Sequence, residues 1–155
     1  MNVASPRFTL DTNILVYSVD RRWGQKQQLA AHIVDKSIDA DCRLTLQSLS
    51  EFFSAVSRKG ILPAIDAAEY VRDWLVAFSC IAGSTAAVRT ALTAATAGRA
   101  SYWDALLIAT SAEAGCRLIL TEDLTDGGNL GGVEIHNPFA LGGGPTDRAR
   151  ELLDL

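Results

Sequence analysis

The sequence predicts an α/β fold, a three-layer α/β/α arrangement with a central, mostly parallel sheet flanked by helices. Short apolar runs alternate along the chain with segments of helical period, the pattern of successive βα units. The 155 residues, 48% hydrophobic, match one domain and can bury a core without staples. No internal repeat or second core interrupts the pattern.

The elements follow in order. Arg7-Phe8-Thr9-Leu10 is a first strand ending at Asp11, and residues 13–19 form a short helix or turn. Residues 24–39 are helical, with Leu29, Ile33 and Ser37 at i, i+4, i+8. Residues 42–46 read as the second strand. Ser48 starts a helix, Glu51 completes an S-x-x-E capping box, and Leu49, Phe52, Phe53 and Val56 supply its apolar face. Gly60 and Pro63 stop it, and Asp66 opens the next helix, whose stripe is Tyr70, Val71, Trp74, Leu75 and Phe78. Cys80 and Ile81 suggest a weak strand, and residues 84–96 an Ala-rich helix broken at Gly98.

Residues 101–113 give the clearest helix, with Trp103, Leu106, Leu107 and Thr110 on one face and Gly115 closing it. Residues 117–120 are a strand feeding the polar run 121–129, and residues 133–136 a last short strand. The expected division is a domain over residues 1–141 and, over 142–155, a flexible Gly-rich break with a short C-terminal helix or tail.

Composition excludes several classes. The hydrophobic fraction rules out a disordered chain, and no apolar run approaches the roughly 18 residues that span a bilayer. With no signal peptide visible, the expected location is the cytoplasm, without membrane attachment. Cys42, Cys80 and Cys116 stand far apart without a CxxC, so they read as free thiols rather than zinc ligands. The net charge of -4, from 18 acids and 14 bases, argues against a broad basic surface for duplex DNA. A small metal-dependent site acting on a phosphodiester remains compatible with it.

In open α/β sheets the ligand site lies beyond the carboxyl ends of the strands. Four acids qualify. Asp11 and Asp123 follow the first strand and the strand over 117–120; Glu51 and Asp104 lie in the first turns of two helices. Each also has an ordinary explanation. First-turn acids complement the helix dipole, Asp11 suits a turn or cap, and Asp123 sits in a polar loop where Glu122 is a solvated acid.

The residues around these acids resemble the PIN-domain nucleases. Asp11-Thr12-Asn13 after a strand resembles their opening motif, and Glu51 within Ser48-Leu49-Ser50-Glu51-Phe52 their second. Trp103-Asp104-Ala105-Leu106-Leu107-Ile108-Ala109 is similar to the third. Leu120-Thr121-Glu122-Asp123-Leu124 with Gly127 resembles the fourth. Order, spacing and length resemble the VapC-type toxins of toxin–antitoxin pairs, over residues 8–139; the chain beyond Gly142 departs from the compact form. The resemblance implies that Asp11, Glu51, Asp104 and Asp123 are catalytic and bind divalent metal. It further implies that Asn13 and Thr121 orient the carboxylates, with Asp126 a further acid nearby. It also implies an RNA substrate, products with 5′-phosphate and 3′-hydroxyl ends, a small antitoxin partner and a homodimer.

Phosphodiester hydrolysis at neutral pH needs an activated water and relief of charge at phosphorus, both of which a hard divalent ion supplies. Oxygen-only ligands suit Mg²⁺ or Mn²⁺. The expected reaction is in-line attack by a metal-bound water. His32 and His136 fall outside the motifs and read as structural or solvent-facing. Substrate contacts are expected from the basic run Arg21-Arg22-Trp23-Gly24-Gln25-Lys26, through Arg22 and Lys26, and from Arg58, Lys59 and Arg99. An antitoxin helix would find a groove among the aromatics of the helices over 48–59 and 66–78, unless these are core stripes.

Two other readings stand beside this one: a non-catalytic PIN-like module binding RNA or protein, and an unrelated α/β phosphohydrolase with Asp11 as nucleophile. The second is weakened by Asn13 where another Asp is expected.

Overall fold

The computed structural model describes residues 4–155. Strand β1 (Phe8–Leu10) leads into helix α1 (Thr12–Val19), a 3₁₀ turn (Arg21–Trp23) and α2 (Gln25–Ile38). Then come β2 (Arg43–Thr45), α3 (Leu46–Arg58), α4 (Ala64–Ala77), β3 (Ser79–Ile81), α5 (Thr85–Thr96) and α6 (Tyr102–Glu113). The chain ends with β4 (Leu118–Leu120), β5 (Asn129–Leu130), β6 (Val133–His136) and α7 (Asp147–Leu153).

One ladder has the order β1-β4-β6-β5 and another pairs β2 with β3. A parallel bridge from Phe8 to Cys42, with the Phe8 N–H donating to the Asp41 carbonyl at 3.1 Å, joins them at the β1 edge. Among the described residues the strands pair in parallel except β5 with β6. Parallel neighbours require crossover helices, and these cover both faces of the sheet. β4 carries the consequence in three residues. Leu118 and Leu120 join a large core with Phe8, Leu10, Leu44, Phe52 and Trp74, while Ile119 packs on the opposite face with Leu107, Ile108, Val133 and Ile135. The expected fold class is the observed one. Among the described residues no helix is long and apolar enough to cross a membrane.

Four local expectations change. α3 begins two residues earlier than Ser48, because Thr45 caps it: the Thr45 hydroxyl accepts from the Ser48 N–H at 3.0 Å. Glu51 therefore lies in the second turn, outside any capping box. Trp103 does not share the buried face of Leu107 and Thr110 but is 61% exposed. The two-residue β5 falls at the end of the run read as a polar loop. Phe52, Trp74 and Phe78 are buried core, as the core-stripe reading of these helices has it, while Phe53 and Tyr70 are exposed. The C-terminal helix packs on the main core through Leu153, and Thr146 at its N-cap bonds His136 Nε2 at 2.7 Å. Cys42 and Cys116 are buried and Cys80 half-buried, all free.

Candidate functional site

β1 and β4 are neighbours in register, with Leu10 opposite Leu120, so the residues just past both strands meet. The Asp11 N–H donates to the Leu120 carbonyl at 3.0 Å, extending the ladder one step to the site. β1 is also where the sheet departs toward β2 on one side and β4 on the other. This is the switch point at which open α/β sheets place their ligands.

Asp11 is buried and both oxygens of its carboxylate accept hydrogen bonds. Oδ1 accepts from the Thr12 N–H at 2.7 Å, capping α1. Oδ2 accepts from the Thr121 hydroxyl at 2.8 Å and from Asn13 Nδ2 at 3.3 Å. Asn13 also donates to Thr121 Oγ1 at 3.1 Å and accepts from the Glu122 N–H at 3.3 Å. The Asp123 N–H donates to Thr121 Oγ1 at 3.2 Å. Thr121 and Asn13 thus form a small lattice that holds both strand-end acids from behind.

Two helices supply the other acids. Ser101 caps α6 by accepting from the Asp104 N–H at 3.2 Å, which sets Asp104 in the first turn as expected. Glu51, one turn into α3, accepts from the Thr12 hydroxyl at 3.0 Å and from Gln47 Nε2 at 2.8 Å. The same Gln47 nitrogen donates to the Trp103 carbonyl at 2.9 Å and ties α3 to the start of α6.

All four acids line one cleft of about 410 Å³. Its electrostatics are visible at Asp11, whose pKa is pushed up to about 6. Burial is the main cause, hydrogen bonds from Thr121 and Thr12 oppose it, and the charges of Asp104 and Asp123 add to it. A cation entering the cleft would relieve that repulsion. The lining offers hard carboxylate oxygens and neither His nor Cys, a donor set that fits Mg²⁺ or Mn²⁺. Among the described residues no three such side chains close into a ready cage.

The remaining predicted residues divide. Arg22, Trp23 and Lys59 line the cleft. Arg22 is clamped to buried Asp20 by two bonds, Nε at 2.9 Å and Nη2 at 2.8 Å. Lys26 turns instead to Glu122 and the aromatic rings around it. Glu122 is therefore not a free solvated acid: it pairs with Lys26 and accepts from the Tyr17 hydroxyl at 2.9 Å. Arg99 is not brought to the acids. It lines a separate cavity between α5 and α6 with Thr90, Ala94 and Glu113. Asp126 also stands apart, accepting from the Asn137 N–H at 2.8 Å and pinning its loop to the end of β6. His32 is exposed, and His136 serves the α7 contact, as a structural reading requires. Gln47 and Tyr17 went unread in the sequence. Gln47 sits four residues before Glu51 on one helical face, which is the signal that points to it.

The PIN domain family model matches residues 8–125. No match to a curated protein sequence was found. Several solved structures share the fold. A Mycobacterium tuberculosis VapC20, described as a Sarcin-Ricin loop cleaving toxin, is 18% identical with TM-score 0.58, over 75% of this chain and 89% of that one. A toxin–antitoxin complex from Klebsiella pneumoniae is 17% identical with TM-score 0.59, covering 86% and 98%. DNA-bound VapBC from Salmonella typhimurium is 15% identical with TM-score 0.60, covering 84% and 97%.

Proposed function

The chain belongs to the PIN-domain family, and on that premise we propose that it is a divalent-metal-dependent endoribonuclease, the toxin of a VapBC-type toxin–antitoxin pair. One observation carries the reading: Asp11, Glu51, Asp104 and Asp123 come from four separate elements and line a single cleft.

Asp11, Asp104 and Asp123, with Glu51, are the residues that would hold Mg²⁺ or Mn²⁺. Such an ion, when bound, lowers the pKa of water and offsets charge developing on the phosphoryl group. The chain's own groups do the rest. Thr121 and Asn13 fix the Asp11 carboxylate, and Thr12 and Gln47 fix Glu51, which holds these two acids in place at the cleft. Arg22 and Lys59 at the cleft supply positive charge for the RNA backbone, and Trp23 an aromatic face for a base. The alternative in which Asp11 attacks phosphorus is disfavoured by its bonding. Asn13 donates to the carboxylate at the position where that reading needs a second acid.

The proposal includes a small antitoxin, a homodimer and a cytoplasmic setting. The solved relatives described as a toxin–antitoxin complex and as VapBC support the partner. So does the exposed apolar groove between α3 and α6, where Trp103 and Leu106 face Gln47, Ser50 and Ser54. Glu51 borders both this groove and the acid cleft, so a protein seated there reaches the edge of the active acids.

Asp104→Asn is the direct test. The cap of α6 uses the Asp104 backbone and not its carboxylate, so the variant should fold and melt like the parent. Cleavage of single-stranded RNA in Mn²⁺ should fall at least about 100-fold, read as 5′-phosphorylated fragments on a gel. Full activity in the folded variant would overturn the assignment. Binding of RNA without any cutting by the unaltered protein would favour the non-catalytic module instead.

A further inference from the structure

Beside the cleft sits a lysine that the proposed chemistry leaves unused. Lys26, in the first turn of α2, is only about a quarter exposed and forms an ion pair with Glu122. Its ammonium lies 4.3 Å from the centre of the Tyr17 ring and 5.1 Å from those of Trp23 and Phe139. Tyr17 in turn packs edge-on against both Trp23 and Phe139. A cation enclosed by three rings is attracted to their faces and is removed from the solvent that a phosphate contact would share. The Tyr17 hydroxyl donates to the second side of the pair, at Glu122 Oε1.

Glu122 is the residue between Thr121 and Asp123. Its N–H is held by Asn13, and the next N–H along, that of Asp123, by Thr121. The Lys26–Glu122 pair therefore anchors the outer side of a three-residue loop whose inner side is anchored on Asp11. Among the described residues the Asp123 carboxylate has no hydrogen-bond or salt-bridge partner of its own, so its position depends on the loop that carries it.

We infer that Lys26 is a positioning residue and not an RNA contact: through Glu122 it fixes the loop that presents Asp123, and so sets the affinity of the cleft for its divalent cation. This rests on the metal-dependent reading above. Groups that orient metal-binding carboxylates typically change metal affinity by roughly 10- to 100-fold when removed. The inference also reassigns Lys26, which sequence alone groups with the substrate-binding bases.

The test titrates Mn²⁺ alone, without RNA, into the unaltered protein, Lys26→Met, Glu122→Gln and the double variant, following free Mn²⁺ by its electron paramagnetic resonance signal. Near-UV circular dichroism verifies the packing, and Glu122→Gln carries the test if Lys26→Met does not fold. Each single variant should bind Mn²⁺ about 10-fold more weakly. The double variant should bind no worse than either, because the two act as one unit. Unchanged Mn²⁺ affinity in folded Lys26→Met, with weaker RNA binding and a salt slope reduced by about one, would identify a phosphate contact and overturn the inference. Additive losses in the double variant would overturn the path through Glu122. Absence of Mn²⁺ binding by the unaltered protein would overturn the metal-dependent reading and this inference together.

Discussion

Asp11 carries opposing demands on a single carboxylate. It caps α1 and accepts three hydrogen bonds, all of which favour the charged form, yet burial beside Asp104 and Asp123 holds its pKa near 6. An acid whose folded pKa exceeds its unfolded value, here 3.8, binds more protons folded than unfolded between those two pH values. In metal-free protein this contribution must make stability fall as pH rises from about 4 to about 6, then level off. The shift of about two pH units corresponds to a loss on the order of 3 kcal/mol at pH 7. Asp11→Asn keeps a good N-cap and removes the titration. Urea melts in EDTA should show the variant more stable than the parent at pH 7 and the two converging near pH 4. An unchanged pH dependence in the variant would mean that Asp11 is not under this strain. The residue proposed to hold the cation is therefore one that lowers the stability of the metal-free fold, a cost that a cation bound there would remove.

At the scale of elements, α3 shows what a residue pattern can and cannot specify. Ser48-Leu49-Ser50-Glu51 satisfies the capping-box pattern, but Thr45 holds the cap one turn earlier. The reason is β2. Its last residue is Thr45, and chain leaving the strand turns directly into the helix with no loop between. Buried Thr45 Oγ1 also donates to Ser48 Oγ at 3.0 Å, so the serine is held by the cap and does not form it. Thr45→Val preserves shape while stranding a buried N–H, and should cost about 1–2 kcal/mol in a denaturant melt. If Ser48→Ala costs as much and Thr45→Val nothing, the cap lies where the sequence pattern put it. The βα alternation, the strand-end acids Asp11 and Asp123 and the first-turn place of Asp104 were all legible, because each depends on local period or on position after a strand. The exposure of Trp103, the Lys26–Glu122 pair and the displacement of Arg99 and Asp126 were not. Each is decided by which distant element packs alongside: Phe139 closes over Lys26 from more than a hundred residues away. Trp103 lies outside the core because α6 turns Leu107 and Ile108 toward Ile119. Local pattern places a side chain on an element; it does not choose that element's neighbours.

At the scale of the whole molecule, the charge count acquires a location. Setting aside Asp11, Glu51, Asp104 and Asp123 leaves 14 acids to 14 bases, so the formal -4 equals the charge of those four carboxylates, which share one cleft with Asp20, Arg22 and Lys59. The molecule as a whole then gains from any cation that binds there, because ligand affinity for the folded state alone adds directly to stability. At a free Mn²⁺ concentration about 100 times its Kd the gain is about 2.7 kcal/mol. For a chain of this length that should raise the melting temperature by roughly 5–10 °C at pH 7. Two comparisons make the measurement specific. The rise should shrink as pH is lowered from 7 to 5, because protonation of Asp11 near pH 6 competes with the ion. It should also shrink in Asp104→Asn, which keeps the backbone donor of the α6 cap. A rise that persists unchanged at pH 5 and in that variant would place the cation elsewhere on the surface. No rise at millimolar Mn²⁺ would remove the cleft as a metal site, and with it the proposal that the four acids are neutralised by a bound cation.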